Sequence, residues 1–153
     1  MKYFILFVLL SATIPIHAQS NLPPWFIRSF KQLKLNHKYE LKGYLKPPYL
    51  EADFSGDGKT DIAILVDERK TKKKGVLIIQ NGGNQYFVFG AGTKFGNRSD
   101  DLKWANNWKI YDSKTPHKRQ ALFIYDLKDQ DPNSGWIIYW TGKQYIWIHQ
   151  FTK

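Results

Sequence analysis

The segment Asp53-Phe54-Ser55-Gly56-Asp57-Gly58-Lys59-Thr60-Asp61 sets oxygen donors at alternating positions. Asp53, Ser55, Asp57 and Asp61 occupy positions 1, 3, 5 and 9 of a nine-residue loop. Position 7 is Lys59, whose side chain is expected to point away while its backbone carbonyl faces inward. Carboxylate, hydroxyl and carbonyl oxygens are what calcium takes, in flexible geometry with about six to eight ligands. Three carboxylates neutralise a divalent cation well, and without one they repel each other. Gly58 allows a sharp turn at position 6, and Gly56 relaxes the turn before it. The competing reading is a turn that binds nothing, because Asp and Gly are common turn residues.

The opening of the loop follows the EF-hand start, Asp-x-[Asp/Asn]-x-Asp-Gly, but its twelfth position is Ile64 in place of the bidentate Glu. Its flanks also read as strands. The segment instead resembles the calcium loop of FG-GAP or VCBS-type repeats, found in integrin α-chain propellers and many bacterial exported proteins. Their pattern is Asp-x-[Asn/Asp]-x-Asp-Gly-x-x-Asp followed by an apolar strand. Asp53, Asp57, Gly58 and Asp61 match it, and Ile62-Ala63-Ile64-Leu65 matches the strand. Ser55 departs from the usual Asn/Asp and is the weaker ligand. The resemblance implies calcium ligation by Asp53, Ser55, Asp57 and Asp61 plus the carbonyl of Lys59. A propeller needs several such blades and one copy is found, so a structural staple between two strands is implied, not a propeller.

The elements that must position this loop read mainly as β. Asn21-Leu22-Pro23-Pro24 leads into an amphipathic helix over 24–35 that packs Trp25, Phe26, Phe30 and Leu33 on a sheet. Pro47-Pro48 breaks regular structure. Strands are expected from Tyr49 onward. Ile62-Ala63-Ile64-Leu65-Val66 and Val76-Leu77-Ile78-Ile79 are continuous apolar runs, the pattern of strands covered on both faces. Asn81-Gly82-Gly83-Asn84 and Thr141-Gly142-Lys143-Gln144 mark hairpins. Ala121 to Tyr125 and Trp136 to Trp140 complete the pattern. The expectation is an α+β domain: an antiparallel sheet of about seven or eight strands with one N-terminal helix.

Residues 1–18 read separately. Lys2 is followed by an apolar run over 3–10, and Ile16-His17-Ala18 has the form of a small-residue cleavage site. The run is short for a bilayer span, so a cleaved secretory signal is expected, with an uncleaved anchor as the alternative. Residues 19–153 then form a single domain, long enough to bury a core without staples. The chain has no cysteine, which excludes disulfides and suits bacterial export to a periplasm or beyond.

Past the signal, 22 Lys and Arg face 13 Asp and Glu, a net of +9. In an exported protein this charge points to an anionic polysaccharide or another exported protein, and disfavours nucleic acid. The densest run, Arg69-Lys70-Thr71-Lys72-Lys73-Lys74, is expected at a solvated hairpin tip. Catalytic signals are sparse. His37, His117 and His149 form no triad or zinc pattern, and Asp100-Asp101, Asp126, Asp129 and Asp131 sit in turn-like segments or at a strand end. Six tryptophans are many for this length, and exposed aromatic platforms stack on sugar rings or partner proteins, although core packing competes. The glycine-rich stretch over 90–97 suits a binding loop. These observations together predict an exported calcium-binding β-domain acting as a non-enzymatic binding or structural module of the cell envelope. The alternatives are a small envelope-polymer hydrolase using Asp or Glu, or an inhibitor of an extracellular enzyme.

Overall fold

The computed structural model describes residues 21–83, 85–95, 99–112, 119–128 and 134–150. The expected signal segment, His117, Asp129 and Asp131 lie outside the described residues.

Helix α1 (Pro24–Gln32) opens with proline in its first turn and closes at Leu33. Lys34 takes a left-handed conformation, and a four-residue turn of helix, α2 (Leu35–Lys38), follows. The predicted helix over 24–35 is therefore interrupted at Lys34. It buries Phe26 and Phe30, with Trp25 and Leu33 packed at the margin.

Among the described residues, nine strands form two antiparallel sheets. The first contains β1 (Tyr39–Lys42), β2 (Tyr49–Ala52), β3 (Asp61–Glu68), β4 (Lys74–Ile79) and β5 (Tyr86–Gly90). Strand β3 is its axis. Its first half pairs with β2 (Tyr49 opposite Ile64), its second half with β1 (Leu41 opposite Val66), and its other edge with β4 (Ile64 opposite Leu77). The second sheet is a meander of β6 (Asn107–Tyr111), β7 (Ala121–Tyr125), β8 (Gly135–Trp140) and β9 (Tyr145–Gln150). Strand β1 is the element that the sequence reading lacked. Tyr39-Glu40-Leu41-Lys42 alternates cleanly, but four residues beside a helix make a weak pattern.

Alternation along β3 and β4 creates two cores, one on each side of the first sheet. Ile62, Ile64, Val66, Leu77 and Ile79 face α1 and bury Phe26 and Phe30. Ala63, Leu65, Val76 and Ile78 face the second sheet and meet Trp108, Leu122, Ile124 and Ile138. The order of layers is thus helix, sheet, sheet. In β8 the alternation places Trp136, Ile138 and Trp140 on the inner face, as their spacing requires. Trp108 is 2% exposed, and its indole Nε1–H donates to the Pro47 carbonyl at 2.9 Å. Buried tryptophan keeps a partner for its one polar atom in this way.

Phe26→Ala empties a fully buried ring site between helix and sheet. We expect a loss of about 3–5 kcal/mol of folding stability in urea titration.

Candidate metal centre

The loop over 53–61 joins β2 to β3, and its path is set by carboxylates that accept from its own backbone. Asp53 Oδ1 accepts from the N–H of Gly56 at 2.6 Å and of Asp57 at 3.1 Å, while Oδ2 accepts from Gly58 N–H at 2.9 Å. Three consecutive amides thus converge on one side chain. Such an arrangement requires a tight reversal, and Gly56 (φ +76) and Gly58 (φ +83) supply left-handed conformations there. Asp57 is exposed and accepts from Lys59 N–H at 2.9 Å, which holds its carboxyl below the ordinary range. Ser55 Oγ lies 3.4 Å from Asp53 Oδ1.

Asp61 behaves differently. It is fully buried at the start of β3, where Oδ2 accepts from Ser55 N–H at 2.8 Å and Oδ1 from Asn81 N–H at 2.9 Å. It therefore ties the loop to the β4–β5 turn. Burial pushes its carboxyl up, and the two amide bonds oppose that shift. Lys59 also departs from expectation: its side chain turns toward the acidic loop and not away from it. Its Nζ stands 3.8 Å from Asp57 Oδ2 and lies against Gly82. This pair is solvent-exposed and contributes little stability.

The loop is held to the second sheet as well. Gln120, just before β7, donates its backbone N–H to the Asp53 carbonyl at 3.3 Å and accepts Asp53 N–H on its side-chain Oε1 at 3.2 Å. The neighbouring Arg119 lies across Gly56 so closely that an added Cβ would stand 2.3 Å from its Nε. Arg119 also donates to the Trp140 carbonyl at 3.1 Å. Gly56 therefore serves both the turn and this close approach.

All five residues of the proposed ligand set lie on one loop, and their oxygens are the hard donors that calcium takes. Their chemistry fits the ion. Among the described residues, however, no group of three or more Asp, Glu, His or Cys side chains is drawn together to hold a metal. Asp61 faces the interior, while Asp57 faces solvent.

Other residues singled out by type have structural partners. Asp100 accepts from Lys73 Nζ at 2.6 Å, and this ammonium holds its carboxyl below the usual range. Asp101 Oδ1 accepts from the N–H of Lys74 at 3.0 Å and of Lys103 at 3.1 Å. The two carboxylates thus pin the glycine-rich loop to β4. The lysine tip is partly neutralised within the fold, since Lys72 also reaches Glu40 at 4.0 Å. His37 is exposed on α2, and His149 is half-buried on β9 against Trp136, with ring centroids 4.5 Å apart.

Composition did not reveal a cleft of about 330 Å³ where Phe95, Ser99, Trp104, Asp126, Trp136 and His149 meet. These residues are scattered through the sequence, and only the folding of the meander brings them together. Asp126 is the one carboxylate among its described lining residues. A glycosidase needs a facing pair about 5–9.5 Å apart.

No protein-family model, curated protein or solved structure matches the chain.

Asp61→Asn presents an amide NH2 to one of two backbone N–H groups and leaves that donor unsatisfied. The expected loss is about 1–3 kcal/mol. In chelator, burial opposes ionisation of Asp61, so the proton-linked part of its contribution is fully present below its ordinary value of 3.8 and is lost as pH rises through its raised folded value. The stability gap between the native protein and the Asn variant should therefore narrow as pH rises, as read by thermal melts across pH.

Proposed function

We propose that this chain is an exported, calcium-binding β-domain that serves as a non-enzymatic binding or structural module of the cell envelope. The observation that carries the reading is the convergence of Gly56, Asp57 and Gly58 N–H on the Asp53 carboxylate. It orders the loop before any ion arrives and fixes the Asp53 carboxylate at the junction of both sheets. Asp53, Ser55, Asp57 and Asp61, with the Lys59 carbonyl, are the ligands assigned to calcium. The ion supplies positive charge that offsets carboxylate repulsion and the cost of keeping Asp61 ionised in the interior.

The role follows from the loop's position. It links β2 to β3, reaches the β4–β5 turn through Asp61 and contacts the second sheet through Gln120. An ion held there fastens a domain that has no disulfide. Export to a periplasm or beyond suits a cysteine-free chain with an apolar leader. The net charge of +9 past the leader favours an anionic polysaccharide or an acidic exported protein as the partner of its basic surface.

The test is a thermal melt of chelator-treated protein with and without calcium. At about a hundredfold excess over Kd, calcium should add about 2.7 kcal/mol and raise the melting temperature by several degrees. Asp57→Ala should melt normally in chelator and lose the calcium response. A melting temperature that ignores calcium sinks the proposal.

A further inference from the structure

The aromatic cleft lies at the end of the second sheet, apart from the acidic loop. Its volume of about 330 Å³ falls at the small end of ligand pockets, which run about 300–1,000 Å³. One part of the wall is aromatic. Trp104 and Trp136 are half-buried there, and Phe95, 2% exposed, backs them. Phe95 meets Trp136 edge-on at 6.1 Å and Trp147 at 4.8 Å, so core packing fixes the orientation of the wall.

The rest of the wall is polar: Ser99, Asp126 and His149. Asp126 is held rigidly. Its Oδ1 accepts from Lys128 N–H at 2.9 Å and from the Asn106 side-chain amide. Those bonds occupy Oδ1 and leave Oδ2 as a fixed acceptor with no partner among the described residues. Ser99 is exposed, and its Oγ accepts from Asp101 N–H at 3.1 Å, which leaves the hydroxyl proton to be donated.

We propose that this cleft binds an uncharged sugar ring of a glycan. A pyranose has an apolar C–H face and a rim of hydroxyls, and the cleft offers indole rings for the first and Asp126 and Ser99 for the second. A carboxylate accepts strongly from sugar hydroxyls and repels acidic sugars, so the ring is neutral although the protein as a whole is basic. The assignment rests on the reading of the chain as a binding module and adds a second site and ligand class, separate from the anionic partner of its basic surface. The aromatic wall and the glycine-rich loop that carries Phe95 then have a common purpose.

The test titrates the calcium-treated protein with chitotriose, cellotriose and maltotriose, following the indole N–H signals by NMR. Polygalacturonate serves as the anionic control. Chitotriose represents N-acetylhexosamine glycans of the wall type, and the other two represent plain hexose glycans. Saturable shifts of the Trp104 and Trp136 signals with any neutral oligosaccharide are expected. Asp126→Asn keeps the side-chain volume and an oxygen for Lys128 N–H, so it should fold and bind about tenfold more weakly or worse. Trp104→Ala should lose binding to a similar degree. No shift with any neutral sugar, a response to polygalacturonate alone, or full affinity in both variants overturns the proposal. Calcium dependence of the melt is read separately, so loss of the cleft and loss of the calcium module are told apart.

Discussion

Ile62 to Val66 alternate across β3 with no polar residue among them, and β4 repeats the pattern beside it. Side chains on opposite faces of one strand cannot share a cover, so a run of this kind has to be buried twice. The helix meets one requirement and the second sheet meets the other. Every other feature follows from that demand. Because β3 is the axis, the loop that enters it must sit at the corner where both sheets meet. The cover provided by the meander, in turn, creates the edge at which the aromatic cleft opens.

Polar side chains at this corner work chiefly through the backbone. Asp53 and Asp61 between them accept from five main-chain amides of the loop and the adjacent turn. Anionic acceptors make stronger bonds to N–H than neutral ones do. Glycine at 56 and 58 is what lets the amides turn toward Asp53. The loop is therefore ordered by its own residues, and an ion adds to that order by neutralising charge.

The strands that depend on continuous apolar runs were legible in the sequence, as were the two Gly-containing hairpins and the loop between β2 and β3. Their signals are local: periodicity, turn chemistry and capping. The second sheet as a separate layer was not legible, because nothing in β6 to β9 states which other strands they leave unpaired. Strand β1 was lost for its shortness, and the break at Lys34 because a left-handed lysine carries no compositional mark. For the candidate site, residue type identified the oxygens but not their directions. Burial turned Asp61 inward, and the nearby Asp57 charge drew Lys59 toward the loop. The cleft depended on contacts between residues about fifty positions apart, as with Phe95 and Trp147.

The local pairing of most strands also bears on how the chain reaches this structure. From β3 to β5, and again from β6 to β9, each strand pairs with its neighbour in sequence, so the loops that must close are short. These two runs can each zip from a hairpin, whereas β1 must reach past β2 to pair with β3. Docking the sheets is the non-local step. Bonds that cross between them, such as Asp53 to Gln120, Trp108 to Pro47 and Gln80 to Tyr145, span 67, 61 and 65 residues. The corner loop is thus tied to the second sheet by contacts whose chain closure is long, in contrast to the hairpins on either side of it.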